Sequence, residues 1–419
     1  MLTRFLKNAR GGVAPLMAVV AVPVMGAVGM AVDYTRVNAA RTAFQVALDS
    51  TALMMSKDAA TKTDAERQTE ATKTFSALFN RPEVTDATVT PTFTGAGGSK
   101  LTLNGTAVVH TNFLGVIGIS QVDISAMSVS TWGNTRLRVA LVLDNTGSMA
   151  SDGKMDALKT ASHNLLSQLQ AAATHPEDVY VSVVPFSKDV NFGSDNYAAS
   201  WLRWDLWDPV NGTCSNNITC VSHGKIWTPA PHSTWNGCVT DRDQNYDTKN
   251  DAPVAGATLY PAEQYSSCSA SLMGLSNDWT KLNSKIDGMT PVGNTNQAIG
   301  LQVGWQTLTA SPFTVPAVDP DYKYQTVIIL LTDGLNTEDR WYTSQSSIDT
   351  RQQKTCDNIK AASITLYTVQ VNTGGDATST MLQNCASDSS KFFLLTTAGQ
   401  IVTTFGQIGT SLSKLRLAM

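Results

Sequence analysis

The stretch VALVLDNTGS at positions 139–148 decides how this chain of 419 residues folds. Its first half is a run of five apolar residues, which is typical of a strand buried in a parallel sheet. Its second half places the carboxylate of Asp144 and the hydroxyls of Thr146 and Ser148 at alternate positions after the strand. Hard divalent cations bind such oxygen ligands. The stretch therefore predicts an α/β domain with a candidate metal site at a strand end.

Two later segments add oxygen ligands to this candidate site. Thr295 lies on a loop before a helical pattern at 297–307, and Asp333 follows the apolar run 327–332. In open α/β sheets, ligands bind beyond the carboxyl ends of the strands. Asp144 and Asp333 should therefore converge on one rim of the sheet, within reach of the loop that carries Thr295. Three distant segments then supply two acids and three hydroxyls to one cation.

This combination resembles the metal-ion-dependent adhesion site of von Willebrand factor type A domains. The family's site uses D-x-S-x-S, a loop threonine and the aspartate of T-D-G, which correspond here to Asp144, Thr146, Ser148, Thr295 and Asp333. Thr146 stands where serine is usual, and it keeps the hydroxyl. The resemblance implies that a protein partner donates an acidic side chain to the bound cation. Mg²⁺ is the expected ion, with Ca²⁺ or Mn²⁺ as alternatives.

The order of the other segments fits an α/β, doubly wound, mostly parallel sheet of the von Willebrand factor type A, Rossmann-like kind. Strands that alternate with helices predict a parallel sheet covered on both faces. The predicted helices are 154–170, 351–362 and 401–415, and the further predicted strands are 179–186, 364–371 and 391–395. We assign residues 136–419 to this domain. The plain alternative is an ordinary doubly wound domain with a chance acidic strand end.

An acid at the end of a first strand is also compatible with phosphatase chemistry. Haloacid-dehalogenase-type phosphatases resemble this pattern with D-x-D-x-T, in which the second acid protonates the leaving group. Thr146 occupies that second position here, so the general acid is missing. We therefore expect a binding protein and not an enzyme, with a metal-dependent hydrolase as the less favoured alternative.

Residues 13–32 are twenty uncharged residues, a length that crosses a bilayer as a helix. Arg4, Lys7 and Arg10 precede them and favour a cytoplasmic tail over residues 1–12. A cleaved signal peptide is the alternative, but its apolar region is about 7–15 residues long. The sequence thus predicts a single-pass membrane protein with its C-terminal domain on the side of the membrane away from the cytoplasm.

Residues 33–135 predict a small pilin-like α+β stalk domain. A helical rhythm continues over 33–56, which predicts a long exposed helix, and 64–78 extends it or forms a second one. Alternating β-favouring residues then predict antiparallel strands, with a glycine turn at 95–98. The predicted strands are 85–94, 101–110 and 122–132.

The amino-terminal segment resembles that of TadE/TadG-like proteins of tight-adherence (Flp) pilus systems. The matching stretches are RGGVA at 10–14, GMAVDYTR at 29–36 and DSTAL at 49–53. Together with a type A domain, they imply the TadG branch, with other pilus-system envelope proteins as partners. The resemblance also implies that the membrane is the bacterial inner membrane and that the C-terminal domain is periplasmic or surface-exposed. Prepilins carry a glutamate early in the apolar helix, and 13–17 has none, so we expect an uncleaved anchor. The implied role is assembly, anchoring or adhesion of the pilus, with a pilus-independent surface adhesin as the alternative.

Six cysteines lie in the predicted type A region, and an even number in an exported domain indicates disulfides. We predict that Cys356 pairs with Cys385. The other four fall in an interrupting segment and are predicted to pair as Cys214 with Cys220 and Cys238 with Cys268. A zinc site is the alternative for these four, although they contain no C-x-x-C unit.

The interrupting segment, at about 191–276, holds two further patterns. Trp201, Trp204 and Trp207 are suited to a binding hot spot, but a small disulfide-stapled module also needs aromatic packing, and we favour that core role. Residues 241–247 place oxygen ligands at alternate positions, as calcium loops do, yet lack the expected glycine and glutamate. A solvated polar loop is the favoured interpretation there.

The charge pattern limits the possible partners. Charged residues make up 15% of the chain and the formal net charge is −4. The sequence has no block of basic residues, so we expect no nucleic-acid partner.

Overall fold

The computed structural model describes residues 13–56, 58–95, 99–132, 135–214, 227–309 and 311–417. The chain combines α and β structure and divides into two compact units, the second of which begins at Thr135. The described part of the first unit contains α1 (Val13–Met55), α2 (Asp64–Leu78), β1 (Val84–Thr94), β2 (Ser99–His110) and β3 (Gln121–Trp132). The three strands form an antiparallel sheet in the order β1-β2-β3. Residues 96–98, the centre of the predicted glycine turn, lie outside the described residues.

Helix α1 contains the predicted apolar segment and continues without a break into a part that packs on the small sheet. Its part Val19–Met55 is long and apolar enough to cross a membrane. Ala40, Phe44 and Leu48 recur at four-residue intervals, are fully buried and belong to the core cluster that includes strand β2. The prediction of an exposed helix over 33–56 is therefore wrong for this face, because the sheet and α2 cover it.

The side chain of Asp33 fixes α1 to the connection between β2 and β3. Its carboxylate accepts hydrogen bonds from the backbone N–H groups of Asn112 at 3.1 Å, Phe113 at 2.7 Å and Leu114 at 2.7 Å. Asp33 is buried, so these three donors replace the water that an exposed carboxylate would bind.

The second unit is built on a larger sheet. The strands of this unit are β4 (Thr135–Asp144), β5 (Val179–Phe186), β6 (Val190–Asn191), β7 (Leu202–Arg203), β8 (Gly212–Cys214), β9 (Trp227–Pro229), β10 (Cys238–Val239), β11 (Tyr260–Pro261), β12 (Met273–Ser276), β13 (Lys323–Thr332), β14 (Thr365–Val371) and β15 (Phe392–Leu395). Five of them run parallel in the order β5-β4-β13-β14-β15. Strands β6, β10 and β12 add antiparallel pairs at the β5 side. Strand β7 pairs with β11, and β8 pairs with β9, in two separate two-stranded sheets.

Helices cover both faces of this sheet. They are α3 (Lys154–Ala172), α4 (Trp279–Asp287), α5 (Gln297–Thr309), α6 (Gln345–Ala361), α7 (Thr380–Cys385) and α8 (Gly399–Leu417). Side chains alternate between faces along a strand, so Leu141 packs with α3, α4 and α8, while its neighbour Val142 packs with α5, α6 and α7. The helices predicted at 154–170 and 401–415 are confirmed within two residues at their ends. The helix predicted at 351–362 is confirmed, but it begins six residues earlier, at Gln345.

The segment between β6 and β12 packs onto the second of these faces. Trp207 and Trp235 are fully buried in the same core cluster as Val142. Trp204 stacks on His232 with ring centroids 3.7 Å apart. The aromatic residues therefore have the predicted packing role, but they extend the core of the sheet and do not form a separate small core.

Two predicted disulfides are present. Cys356 of α6 is bonded to Cys385 of α7, and Cys238 of β10 is bonded to Cys268. Their Cα atoms are 5.1 Å and 5.8 Å apart, respectively, within the usual range for disulfides. The predicted partner of Cys214, Cys220, lies outside the described residues.

Candidate metal-binding site

The parallel pairing of β4 with β13 brings two distant acids to one edge of the sheet. Leu143 is in register with Leu331, so both strands end at the same level. Asp144 ends β4, and Asp333 follows β13. The Thr332 hydroxyl donates to Oδ2 of Asp144 at 2.7 Å, and the Asp333 N–H donates to the same oxygen at 3.3 Å. The two strand ends are thus joined through Asp144, as the sequence predicts.

The loop after β4 folds back over the Asp144 carboxylate. The Thr146 hydroxyl and the Thr146 N–H donate to Oδ1 of Asp144 at 2.5 Å and 2.8 Å. The hydroxyls of Thr146 and Ser148 are 3.0 Å apart. Ser148 in turn donates to Oδ1 of Asp333 at 2.6 Å. Four of the five predicted ligands therefore form one continuous chain of oxygen atoms.

The loop of Thr295 lies beside this chain. The Gly147 N–H donates to the carbonyl oxygen of Gly293 at 3.0 Å, and the Asn145 side chain donates to the carbonyl oxygen of Thr290 at 2.7 Å. Gly293 has a φ of 74°, which favours glycine, and a Cβ there would lie 2.8 Å from the Tyr265 hydroxyl. The loop is therefore held closely against the Asp144 segment.

Thr295 itself is positioned by its backbone. Its N–H donates to the Thr337 hydroxyl at 2.8 Å, and its carbonyl oxygen accepts from the Thr337 N–H at 2.9 Å. Thr295 is 5% exposed. Within the described part of the chain, its side chain makes no hydrogen bond with the other four predicted ligands.

Lys154 is a charged member of the site that the sequence patterns do not reveal. Its ammonium nitrogen lies 2.5 Å from Oδ2 of Asp333, and both side chains are buried. Lys154 is the first residue of α3, where the helix dipole disfavours a positive charge. This unfavourable position is the one sign in the sequence that Lys154 has an acidic partner elsewhere. The site thus contains two acids and one ammonium group.

Exposure and charge differ sharply across the site. Asp144 is fully buried, whereas Ser148 is exposed, so the chain of oxygens reaches solvent at Ser148. Burial, followed by the charge of Asp333, raises the pKa of Asp144 to about 6. Ionising both acids is therefore costly, and an added cation would offset that cost.

The oxygen spacing fits a small hard cation. Mg²⁺ binds six oxygens at about 2.1 Å, which sets neighbouring ligands about 3 Å apart. The successive distances of 2.5 Å, 3.0 Å and 2.6 Å from Asp144 through Thr146 and Ser148 to Asp333 approach that spacing. The described residues contain no group of three or more His, Cys, Asp or Glu side chains placed to hold a metal. A site here would therefore depend on hydroxyl ligands as well as the two acids.

The acidic segment at 241–247 is not the solvated loop that its composition predicts. Asp241 and Asp247 are 4% and 5% exposed. Asp247 accepts from Nε of Arg351 at 2.7 Å and from Nη2 at 2.5 Å. The interpretation as a solvated loop is wrong because α6 supplies an arginine that the local sequence cannot show.

A known protein family matches the amino-terminal part of the chain. Residues 11–57 match the Tad family, described as "Putative Flp pilus-assembly TadE/G-like". No curated protein matches the chain.

Solved structures that resemble the chain include pilus proteins. The pilus adhesin SpaC from Lactobacillus rhamnosus GG is 13% identical with a TM-score of 0.40, covering 80% of this chain and 36% of SpaC. The vWF domain of the type V pili tip protein Mfa5 from Porphyromonas gingivalis is 12% identical with a TM-score of 0.40, covering 68% of this chain and 97% of that domain.

A third similar structure comes from an animal material. Proximal thread matrix protein 1 from the mussel byssus, with a zinc-occupied MIDAS motif, is 14% identical with a TM-score of 0.36. The match covers 67% of this chain and 47% of the mussel protein. This chain therefore spans about half of the mussel protein and about a third of SpaC.

Proposed function

We propose that this chain is a membrane-anchored envelope protein of a tight-adherence pilus system and that it binds a protein partner through a divalent cation. The match of residues 11–57 to a pilus-assembly family supports the pilus role, and the apolar part of α1, Val19–Met55, supports the anchor. The basic residues before α1 favour a cytoplasmic N-terminus, which leaves the second unit in the periplasm or at the surface.

The observation that carries the binding function is the convergence of two strand ends on one chain of oxygens. We infer that the second unit is a doubly wound domain of the von Willebrand factor A type. The proposed cation ligands are Asp144, Thr146, Ser148, Thr295 and Asp333. The buried acids attract the ion, and the hydroxyls complete its surroundings without adding charge.

The chain's own residues determine how a partner would approach. Ser148 is the exposed end of the site, so a partner's carboxylate would arrive there. When bound, the cation supplies a positive centre for that carboxylate. The hydrogen bonds from Thr146 and Thr332 orient Asp144, and Lys154 balances the negative charge of Asp333 while the cation is absent. This arrangement performs binding without turnover.

Metal titration and a cell assay test the two parts of the proposal separately. We expect full-length Asp144→Asn and Thr295→Ala to bind Mn²⁺ more weakly than wild type and to reduce piliation or attachment while the protein level is unchanged. Asp156→Asn is the matched control, because that carboxylate is exposed on α3 and outside the site.

Each part of the proposal has its own contrary result. Unchanged Mn²⁺ affinity in Asp144→Asn would show that the site is assigned wrongly. Lost Mn²⁺ binding with normal piliation and attachment would instead disprove the role in the pilus system.

A further inference from the structure

A second group of buried oxygens lies in the second unit, apart from the candidate site at Asp144. Asp189 directly precedes β6 and is fully buried. Neither of its carboxylate oxygens accepts a hydrogen bond from any described residue. An ionised carboxylate in such surroundings is costly unless a cation or a proton compensates it. The described protein atoms therefore supply no hydrogen-bond donor to the carboxylate of Asp189.

The neighbouring strand brings a second oxygen without a partner. Strand β6 pairs with β10 so that Val190 faces Val239, which places Thr240 across from Asp189. Residues directly opposite on an antiparallel pair have side chains on the same face. Thr240 is 1% exposed, and its hydroxyl makes no hydrogen bond within the described ranges. A buried hydroxyl without a partner is independent evidence that something else occupies this place.

Glu263 adds a second carboxylate from the next strand. Its N–H donates to the carbonyl oxygen of Cys238 at 3.0 Å, so it follows β11 along the far side of β10. Burial, and then the charge of Glu263, raise the pKa of Asp189 well above its ordinary value. The Glu263 side chain is 31% exposed, which gives an ion a route from solvent to the buried oxygens.

The nearest ammonium group compensates only part of this charge. Nζ of Lys188 lies 2.5 Å from Oε1 of Glu263 but 4.0 Å from Oδ1 of Asp189. A hydrogen bond from an ammonium group needs a distance of about 3 Å. Lys188 is therefore engaged with Glu263. While both carboxyls are ionised, the oxygens of Asp189 have no donor, and a hydrogen bond between Asp189 and Glu263 requires a shared proton.

We propose that Asp189, Thr240 and Glu263 hold a second divalent cation of the Ca²⁺ class. Both oxygens of Asp189 are free to bind one ion, and Ca²⁺ accepts such bidentate carboxylates with flexible geometry, whereas Mg²⁺ demands a near-ideal octahedron and retains several waters. The three ligands lie directly before β6, directly after β10 and two positions after β11, at the side of the sheet where the interrupting segment joins it.

The proposed ion also lies close to the loop of the first candidate site. Asn296, next to Thr295, donates from its side chain to the carbonyl oxygen of Lys188 at 3.2 Å. Its N–H donates to the carbonyl oxygen of Ser187 at 3.1 Å. The residues that lead into Asp189 therefore support the segment that carries Thr295, and the ion stabilises both.

Calcium titration of the full chain tests the proposal. After chelation, Ca²⁺ binding is measured by calorimetry and thermal unfolding is followed by tryptophan fluorescence. The measurements use the Asp144→Asn background, in which metal binding at the first candidate site is weakened, and they do not depend on the proposed pilus function. We expect Ca²⁺ to bind and to raise the unfolding temperature, and we expect Asp189→Asn to weaken binding by about tenfold or more. Asp195→Asn, an exposed carboxylate nearby, should behave as its background does.

A second variant distinguishes an ion from a shared proton. Thr240→Val keeps the shape and removes the hydroxyl that lacks a partner, so it should raise the unfolding temperature without Ca²⁺ and reduce the stabilisation by Ca²⁺. It also decides the question if Asp189→Asn fails to fold. Absence of any Ca²⁺ effect in the background chain, or unchanged Ca²⁺ affinity in both variants, would overturn the proposal and leave a proton shared by Asp189 and Glu263.

Discussion

The Ser148 hydroxyl donates a hydrogen bond of 2.6 Å to Oδ1 of Asp333, although 185 positions separate the two residues in the chain. This bond closes the oxygen chain that begins at Asp144. It exists because β4 and β13 are parallel neighbours and end together, so a loop after one strand reaches the acid after the other. The relationship makes Ser148 the point where an effect on metal binding is easiest to separate from an effect on folding.

Removing the Ser148 hydroxyl should weaken metal binding more than stability. Ser148→Ala deletes one oxygen ligand at an exposed position and also removes the hydrogen bond to Asp333, so we expect the free energy of unfolding to fall by only about 1 kcal/mol. We expect the affinity for Mn²⁺ or Mg²⁺, measured by calorimetry, to fall by about tenfold or more. Ser151→Ala is the control, since that hydroxyl donates to the backbone carbonyl oxygen of Ser148 and to Asp152, and contacts none of the proposed ligand side chains. Equal affinities in the two variants would contradict the assignment of Ser148.

Replacing Lys154 should separate metal affinity from stability in the metal-free protein. Lys154→Met removes the ammonium that competes with a cation for Asp333, so Mn²⁺ affinity should rise. Without metal, the buried Asp333 loses its partner, and the loss of stability should be about 3 kcal/mol. Excess Mn²⁺ should recover most of it. Lys159→Met, which lacks an acidic partner at the site, is the control. A lower Mn²⁺ affinity in Lys154→Met would show that the lysine assists binding.

The convergence of Asp144 and Asp333 could be predicted from the sequence because it follows from topology. Buried parallel strands produce continuous apolar runs, and their carboxyl ends must share an edge. The role of Lys154 could not be predicted in the same way. A helical pattern identifies which residues share a face, but it does not show that a lysine in the first turn is directed inwards to an acid 179 residues away.

The acids of the interrupting segment show a second limit of sequence patterns. Asp241 and Asp247 have the composition of a surface loop, and their burial depends on Arg340 and Arg351, which lie about a hundred residues later. The unpaired oxygens of Asp189 depend likewise on how β10 and β11 pack beside β6. Local sequence cannot specify contacts that only the tertiary arrangement creates.

Asp243 should make the stability of the second unit sensitive to acid. Hydrogen bonds from Arg203, followed by those from Arg340, hold the pKa of this carboxyl below its ordinary value of about 3.9. Above about pH 5 both the folded and the unfolded carboxyl are ionised, and the stabilisation is complete. As the pH falls further, the unfolded state takes up the proton first, so the stabilisation is lost.

The prediction for Asp243 is tested by its isosteric variant. We expect Asp243→Asn to lower the free energy of unfolding at pH 6, and the difference from wild type should shrink as the pH falls towards 3. Denaturant unfolding at several pH values measures this difference. Asp195→Asn, whose carboxylate is exposed, should show no such trend. A difference that stays constant with pH would mean that Asp243 acts through packing and not through its charge.

The disulfide between Cys356 and Cys385 should contribute strongly to the stability of the second unit. It joins α6 to α7 across a sequence separation of 29 residues, and both cysteines are fully buried. A loop of this length is worth about 3 kcal/mol when closed, because the bond restricts the unfolded chain. The double variant Cys356→Ala/Cys385→Ala should therefore unfold at a lower denaturant concentration than wild type. Reducing agent should also destabilise this variant less than wild type, because the bond between Cys356 and Cys385 is already absent. If reduction destabilised the double variant as much as wild type, redox sensitivity would be determined by the other disulfides, which include Cys238–Cys268.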